Sequence, residues 1–394
     1  MMKEDIYFEN SLISLELAKG ISIILVIISN AFNFWIAYEY NLRYLYGYIF
    51  LILELFGVFF FIFLFSFSVI FTLNKKMGCK PEKVNRNKVI RQGLILILMG
   101  ILFNIAFNPN LSFPLNFWGW NVISFIGISQ IICFFAFKLV RWARLVIGLI
   151  ILFFTAGIRE ILFIGKDTNL IINIIHFVLI SPIPSYPILP YASFCFFSTV
   201  FGELVFEAKS IKSRVANLNA LRSILKYCLI FILVGLLLPF FQSSPFITPG
   251  SYNLSKYPFL EAFPILEGYS FIYIPGMPKF LFTGSPSNLL LVIGISLLIF
   301  GLSFFIMDIK KVRSKLLKIL IFFARYPISL LFLQLLFLAI FYQKIPIYLI
   351  FFIVIGYLGV SGLILYSLQR FSHSILNLEW LVKKLSGKTK DEVI

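Results

Sequence analysis

The chain has 394 residues, 60% of them hydrophobic and 13% charged, with 49 phenylalanines and a mean hydropathy of +0.97. A soluble domain cannot absorb that much apolar surface, and the unalternating runs exclude a β-barrel, so the fold class is all-α, a polytopic membrane bundle. The net charge of +17 would suggest nucleic acid in a soluble chain, but the cations cluster in short connections between apolar runs, and no basic–aromatic surface for DNA or RNA is legible.

The opening "MMKEDIYFEN" is acidic, and no small-residue cleavage site follows the first apolar run, so no cleaved signal peptide is expected. Periodicity and length predict ten spans, near 15–36, 47–73, 89–106, 120–138, 143–162, 188–206, 224–241, 288–307, 320–342 and 346–368. Alternate connections are strongly basic: "NKKMGCKPEKVNRNK", "KLVRWAR", "EAKSIKSRVANLNALRSILK" and "DIKKVRSKLLK", followed by the tail "EWLVKKLSGKTKDEVI". The other faces carry few cations, among them Arg43, Arg159 and Lys166. All the basic connections fall on one side of a ten-span bundle, which predicts both termini in the cytoplasm. Trp35, Trp118 and Trp120 fall near the opposite boundary, where interfacial aromatics belong.

Two outer segments are long. "DTNLIINIIHFVLIS" is too short to span and reads as interfacial or re-entrant. Residues 242–287 are rich in Pro, Gly, Ser and aromatics, and are either a lid over an outer cavity or an idle excursion. The whole chain, 1–394, reads as one domain, with a core over 14–370 and a basic cytoplasmic tail over 371–394. Four cysteines, Cys79, Cys133, Cys195 and Cys228, have no metal-site or disulfide spacing, and two histidines exclude a His-rich metal centre, so no metal is expected.

Polar groups inside a membrane segment are costly and normally face protein or water. In "LELAKGISIILVIISNAFNF", Lys19 and Asn30 are eleven residues apart, which at about 100° per residue places them within roughly 20° of each other. Glu16 and Asn33 share that face, so a polar stripe runs the height of the first span. The stripe is either a binding site or a Glu16–Lys19 pair at the mouth with Asn30 bonding a neighbouring helix. Glu54 sits either at the outer interface or as a carboxylate facing a cavity. Arg91, opening the third span, either reaches the headgroups or holds an anionic ligand such as a coenzyme phosphate. Arg325 and Gln334 lie about 180° apart on an ideal helix, a relation that a kink at Pro327 would alter. His176 is either a general base or, better in its apolar setting, a packing residue.

The order acid-x-x-base-Gly, apolar run, then a polar residue eleven positions after the base resembles the start of integral membrane acyltransferases. Within them it is similar to the heparan-alpha-glucosaminide N-acetyltransferase-like branch, whose usual form is Asp-x-x-Arg-Gly; here it reads Glu16, Leu17, Ala18, Lys19, Gly20. Further stretches resemble the branch in order: "ELFGVFFFIFLFSFSVIF" aligns Glu54, and "KVIRQGLILILMGILFN" a basic-start third span. "WNVISFIGISQIICFF" has Phe125 where an arginine is usual, "YPILPYASFCFFSTVFGELV" matches Pro187, Pro190 and Tyr191, and "ARYPISLLFLQLL" has Gln334 where the branch has histidine.

The resemblance implies transfer of an acetyl or acyl group from cytoplasmic acetyl-CoA or another acyl-CoA to a sugar or lipid-linked glycan on the opposite face. It implies Lys19, Glu16, Arg91 and Arg325 at the coenzyme, with fixed positive charge for its phosphates. Glu54 would be the base and Asn30 the residue orienting the acyl carbonyl, while Asn33, Tyr191 and Gln334 would meet the acceptor. The branch relies on a histidine in or near the first outer loop, and "AYEYNLRYLY" contains none. The alternative is a non-catalytic transporter, flippase or pseudoenzyme using the same bundle. The partners expected are the lipid bilayer, acyl-CoA and a carbohydrate or glycolipid acceptor, in the plasma membrane by default.

Overall fold

The computed structural model describes residues 12–37, 39, 45, 48–49, 52–53, 56–77, 82–107, 113, 116–180, 187–241, 246–247, 277–312, 314–371 and 377–386. Glu54 and most of the long segment 242–287 lie outside these residues. The helices are α1 (Ile13–Phe34), α2 (Val58–Met77), α3 (Glu82–Phe107), α4 (Val122–Ala136), α5 (Arg141–Gly165), α6 (Leu170–Leu179) and α7 (Ile188–Ser210). They continue with α8 (Arg214–Leu237), α9 (Pro286–Phe304), α10 (Lys315–Ala324), α11 (Pro327–Phe341), α12 (Ile350–Phe371) and α13 (Leu378–Leu385). Two-residue strands, β1 (Phe246–Ile247) and β2 (Met277–Pro278), pair antiparallel.

Each predicted span overlaps a helix or helix pair. Among the described residues seven helices are long and apolar enough to cross a membrane, and the pair α10 and α11, bent by 83°, makes an eighth. The apolar helices at 58–71 and 122–136 are shorter. The short outer segment forms α6, ten residues long, as expected of a piece that cannot span.

Local chemistry sets the helix starts. Asn121, Asn169, Ser213, Ser285, Ser314 and Asn377 each accept a backbone N–H from the first turn that follows, which satisfies donors a helix cannot satisfy internally. Asn121 also donates to the Gly100 carbonyl at 2.6 Å and to Asn104 Oδ1 at 2.8 Å, joining α4 to α3. Gly93 and Gly127 let the same two helices touch: a Cβ on Gly93 would lie 2.7 Å from the Gly127 carbonyl oxygen.

The Phe-rich α2 is the central post, with residues 58–64 all buried against α1, α4 and α7. A helix apolar all round belongs inside, whereas α5, α8 and α12 keep broad exposed apolar faces suited to lipid.

Two of the tryptophans expected at the boundary, Trp35 and Trp120, are buried among protein groups. Trp35 is 1% exposed, packed against Phe337, Phe341 and Tyr357, because the chain after α1 turns inward to bond the segment around Ile345. Trp118 and Trp120 donate their indole N–H groups to the Phe177 and Val178 carbonyls and so pin the end of α6. His176, on α6, is buried and lies 6.1 Å from the Phe163 ring, a packing position.

Candidate functional site

A cavity of about 540 Å³ opens among the helix ends that the basic connections join. That volume lies in the range of roughly 300–1,000 Å³ in which small-molecule and cofactor sites fall. Its first wall is the start of α1, with Ile13, Glu16 and Lys19, and its floor includes Phe65 of α2. Gln92 and Leu96 of α3 and Ile126 and Gln130 of α4 form a second wall. The break between α10 and α11, residues 324–328, supplies Arg325 and Tyr326, and Gln369 comes from the end of α12. The helix α13 closes the ring with Glu379, Trp380, Val382 and Lys383, preceded by Asn377.

Lys19 pairs with Glu16 at 3.5 Å and lies 5.0 Å from the Phe65 ring centroid. Its side chain is only 12% exposed, so its charge is felt through little water. Gly20 explains why this segment sits where it does. A Cβ there would lie 2.0 Å from the Leu320 carbonyl oxygen, so α1 and α10 meet backbone to backbone. The acid-x-x-base-Gly run therefore places two charges and one close contact in a single turn and a half.

The break itself has a local cause. Pro327 begins α11 and has no N–H, and Arg325 ends α10 with its N–H bonded to the Phe322 carbonyl at 3.1 Å. The first free donors of α11, the N–H groups of Ile328 and Ser329, reach Glu379 Oε1 at 2.7 and 2.9 Å, and the Ser329 hydroxyl donates to Glu379 Oε2. Burial pushes the Glu379 carboxyl above its ordinary range, while the Ser329 hydroxyl and the two N–H groups pull it back.

The polar stripe of α1 divides. Glu16 and Lys19 line the cavity, whereas Asn30 donates to Gln334 Oε1 at 3.2 Å, and Gln334 donates in turn to the Ile27 carbonyl at 3.0 Å. Asn30 and Gln334 thus clamp α1 to α11, about 16 Å along the helix from Lys19 at 1.5 Å per residue. Arg325 and Gln334 stay apart, as the helical spacing predicts, with the kink added between them. Asn33 is partly buried at the far end of α1 and does not line the cavity. Arg91 is exposed, and its neighbour Gln92 takes the cavity position. Tyr191 is fully buried and stacks on Phe59 at 4.6 Å, inside the core. Of the residues expected at the site, the cavity gathers Glu16, Lys19 and Arg325.

Missed by the sequence reading were Gln92, Gln130, Tyr326, Glu379, Trp380 and Lys383. The signal for the last three was present, since "NLEWLVKKL" carries a capping Asn and an i,i+4 Glu379–Lys383 spacing, but nothing local says that this tail folds back. Among the described residues no group of three His, Cys, Asp or Glu could hold a metal ion.

The cavity combines three cations, two carboxylates, four carboxamides and three aromatic rings with apolar walls. Such a surface suits a ligand with anionic, polar and planar parts. The fold and site together define an integral, multi-pass helical membrane protein with a cation-lined cavity at one end of its helices. The family model described as heparan-alpha-glucosaminide N-acetyltransferase, catalytic, matches residues 12–234, more than half of the chain, and the chain belongs to that family. The match supports an acetyltransferase-like function for this membrane protein. No curated protein and no solved structure matches the chain. The matched stretch supplies the α1–α4 walls of the cavity; the broken pair, the end of α12 and α13 lie beyond it.

Proposed function

We propose that the chain transfers an acetyl or acyl group from acyl-CoA, bound in the cavity from the cytoplasm, to a sugar or lipid-linked glycan presented at the other end of the bundle. The observation that carries the reading is the cavity itself: Lys19, Arg325 and Lys383 around one opening, at the helix ends joined by basic connections. Arg325 and Lys383 would take the coenzyme phosphates, Glu16 would hold Lys19 in place, and Trp380 or Tyr326 would meet the adenine ring. Arg91 would act outside the mouth as a further charge for the approaching coenzyme.

Transfer requires an acceptor hydroxyl or amine to attack the thioester carbonyl, a base to take its proton, and the coenzyme thiolate to leave. Glu54 is the proposed base, and Asn30 the group that orients the acyl carbonyl. Because the Asn30 amide already donates to Gln334, it suits positioning better than proton transfer. Asn33, Tyr191 and Gln334 are proposed on the acceptor side, the first from α1, the others through the packing that shapes it.

The test is incubation of the purified protein in lipid nanodiscs with radiolabelled acetyl-CoA and a panel of amino sugars and glycolipids. Label on an acceptor is expected; absence of both coenzyme binding and transfer would overturn the reading. The 83° break with a helix start at a cavity is a feature shared with transporters. Coenzyme binding without transfer to any acceptor would therefore favour the non-catalytic alternative.

A further inference from the structure

We propose that α13 is a latch that sets the geometry of the donor cavity, with Glu379 as its positioning residue; this rests on the donor-site reading above. The physical need arises at the break. The first N–H groups of α11 have no acceptor within their own helix, and near a bilayer an unsatisfied donor is costly. No residue of α10 or α11 meets that need for Ile328 and Ser329. It is met by a carboxylate some fifty residues later in the chain, Glu379.

The contact is reciprocal. The Ser329 hydroxyl, which donates to Glu379 Oε2, also accepts the Leu378 N–H at 3.1 Å, so the first turn of α11 caps α13 as well. Asn377 completes that cap by accepting the Trp380 N–H at 3.0 Å. Two helix starts are thus tied side by side through two side chains, Glu379 and Ser329. The Tyr357 hydroxyl, donating to the Leu330 carbonyl at 2.5 Å, fastens the next residue of α11 to α12. The helix α13 also packs on α3, so the latch reaches from the broken helix to the wall that carries Gln92.

Arg325 and Tyr326 lie directly before the tied turn, held on the other side by α10, whose backbone touches Gly20. Both residues line the cavity, so the ties on either side set where their backbone stands. The same helix presents Trp380 and Lys383 to that cavity. Glu379 therefore shapes the donor site through the break rather than by contact with the reacting atoms.

The test compares Glu379→Ala and Glu379→Gln with the unaltered protein in nanodiscs, using coenzyme A as probe and amide hydrogen exchange as a second readout. In Glu379→Ala, exchange at Ile328 and Ser329 should rise, and coenzyme affinity should fall about tenfold, as expected for lost hydrogen bonds to a charged group. Turnover at saturating donor should change little, so the loss appears in KM rather than kcat. Glu379→Gln keeps an acceptor oxygen for both N–H groups and should recover most of the affinity, to within about threefold. Raised exchange with unchanged affinity, or unchanged exchange, would overturn the latch while leaving the donor site standing. Failure of the unaltered protein to bind coenzyme A would instead overturn the donor site, and the positioning role with it.

Discussion

Two charged clusters lie at the helix ends that the basic connections join, and they differ in what surrounds them. In one, Arg141 and Arg144 at the start of α5 close on Glu203 and Glu207 of α7. Arg141 Nε lies 3.1 Å from Glu203, Arg144 also meets Glu203, and Arg141 meets Glu207. In the other, Glu16, Lys19, Arg325, Glu379 and Lys383 ring a cavity. The first cluster spends its charges on bringing two helices together. The second sets Lys19, Arg325 and Lys383 along the wall of a cavity, with Lys19 paired to Glu16 there. Charge density alone does not mark a site; the volume beside the charges does.

The comparison is broken most strongly by Glu203→Leu. The Arg144 side chain is 2% exposed, so removing its partner strands a buried charge, a loss of about 3 kcal/mol. Thermal unfolding in detergent should shift down sharply, while coenzyme A affinity of the folded fraction stays unchanged. Arg141, almost half exposed, adds little to that cost.

Gly20→Val tests the contact that the cavity cluster depends on. Its Cβ would collide with the Leu320 carbonyl, so α1 and α10 must part, at a cost of about 2 kcal/mol. Here both stability and coenzyme A affinity should fall, because Lys19 and Arg325 lie on the two separated helices.

Arg325→Ala separates the clusters by function. Coenzyme A affinity should drop by about tenfold or more, the worth of charge-assisted bonds to phosphate, with the unfolding temperature little changed. Equilibrium binding beside a melting curve checks both halves of that expectation.

The smallest effect is expected at the amide clamp. Asn30→Leu and Gln334→Leu should each destabilise modestly, and the double-mutant cycle should show a coupling of about 0.6 kcal/mol, typical of an interhelical hydrogen bond in a membrane protein. A coupling visible in turnover but absent from stability would assign the clamp a part in orienting the acyl group.

Much of the fold was legible along the chain. Runs of about twenty apolar residues dictate helices, and the cations gather in alternate connections between them. The eleven-residue spacing in α1 put Lys19 and Asn30 on one inward face. What it could not say is that the upper part of that face would open onto a cavity and the lower part would be closed by Gln334. Both outcomes use the same residue types, and the difference lies in α10 and α11, some three hundred residues away. Likewise Tyr191 is fully buried and stacks on Phe59 of α2, a contact that its own motif does not foretell.

By itself, then, the sequence determined the membrane class, the helix positions and the family to which residues 12–234 belong, since each depends on composition and spacing within a few turns. Only the tertiary structure decided which polar groups share a site. Gly20 brings two backbones into contact, Pro327 breaks a helix, and Glu379 returns from the tail to cap the broken end. Those are contacts between segments far apart in the chain, and local periodicity carries no information about them.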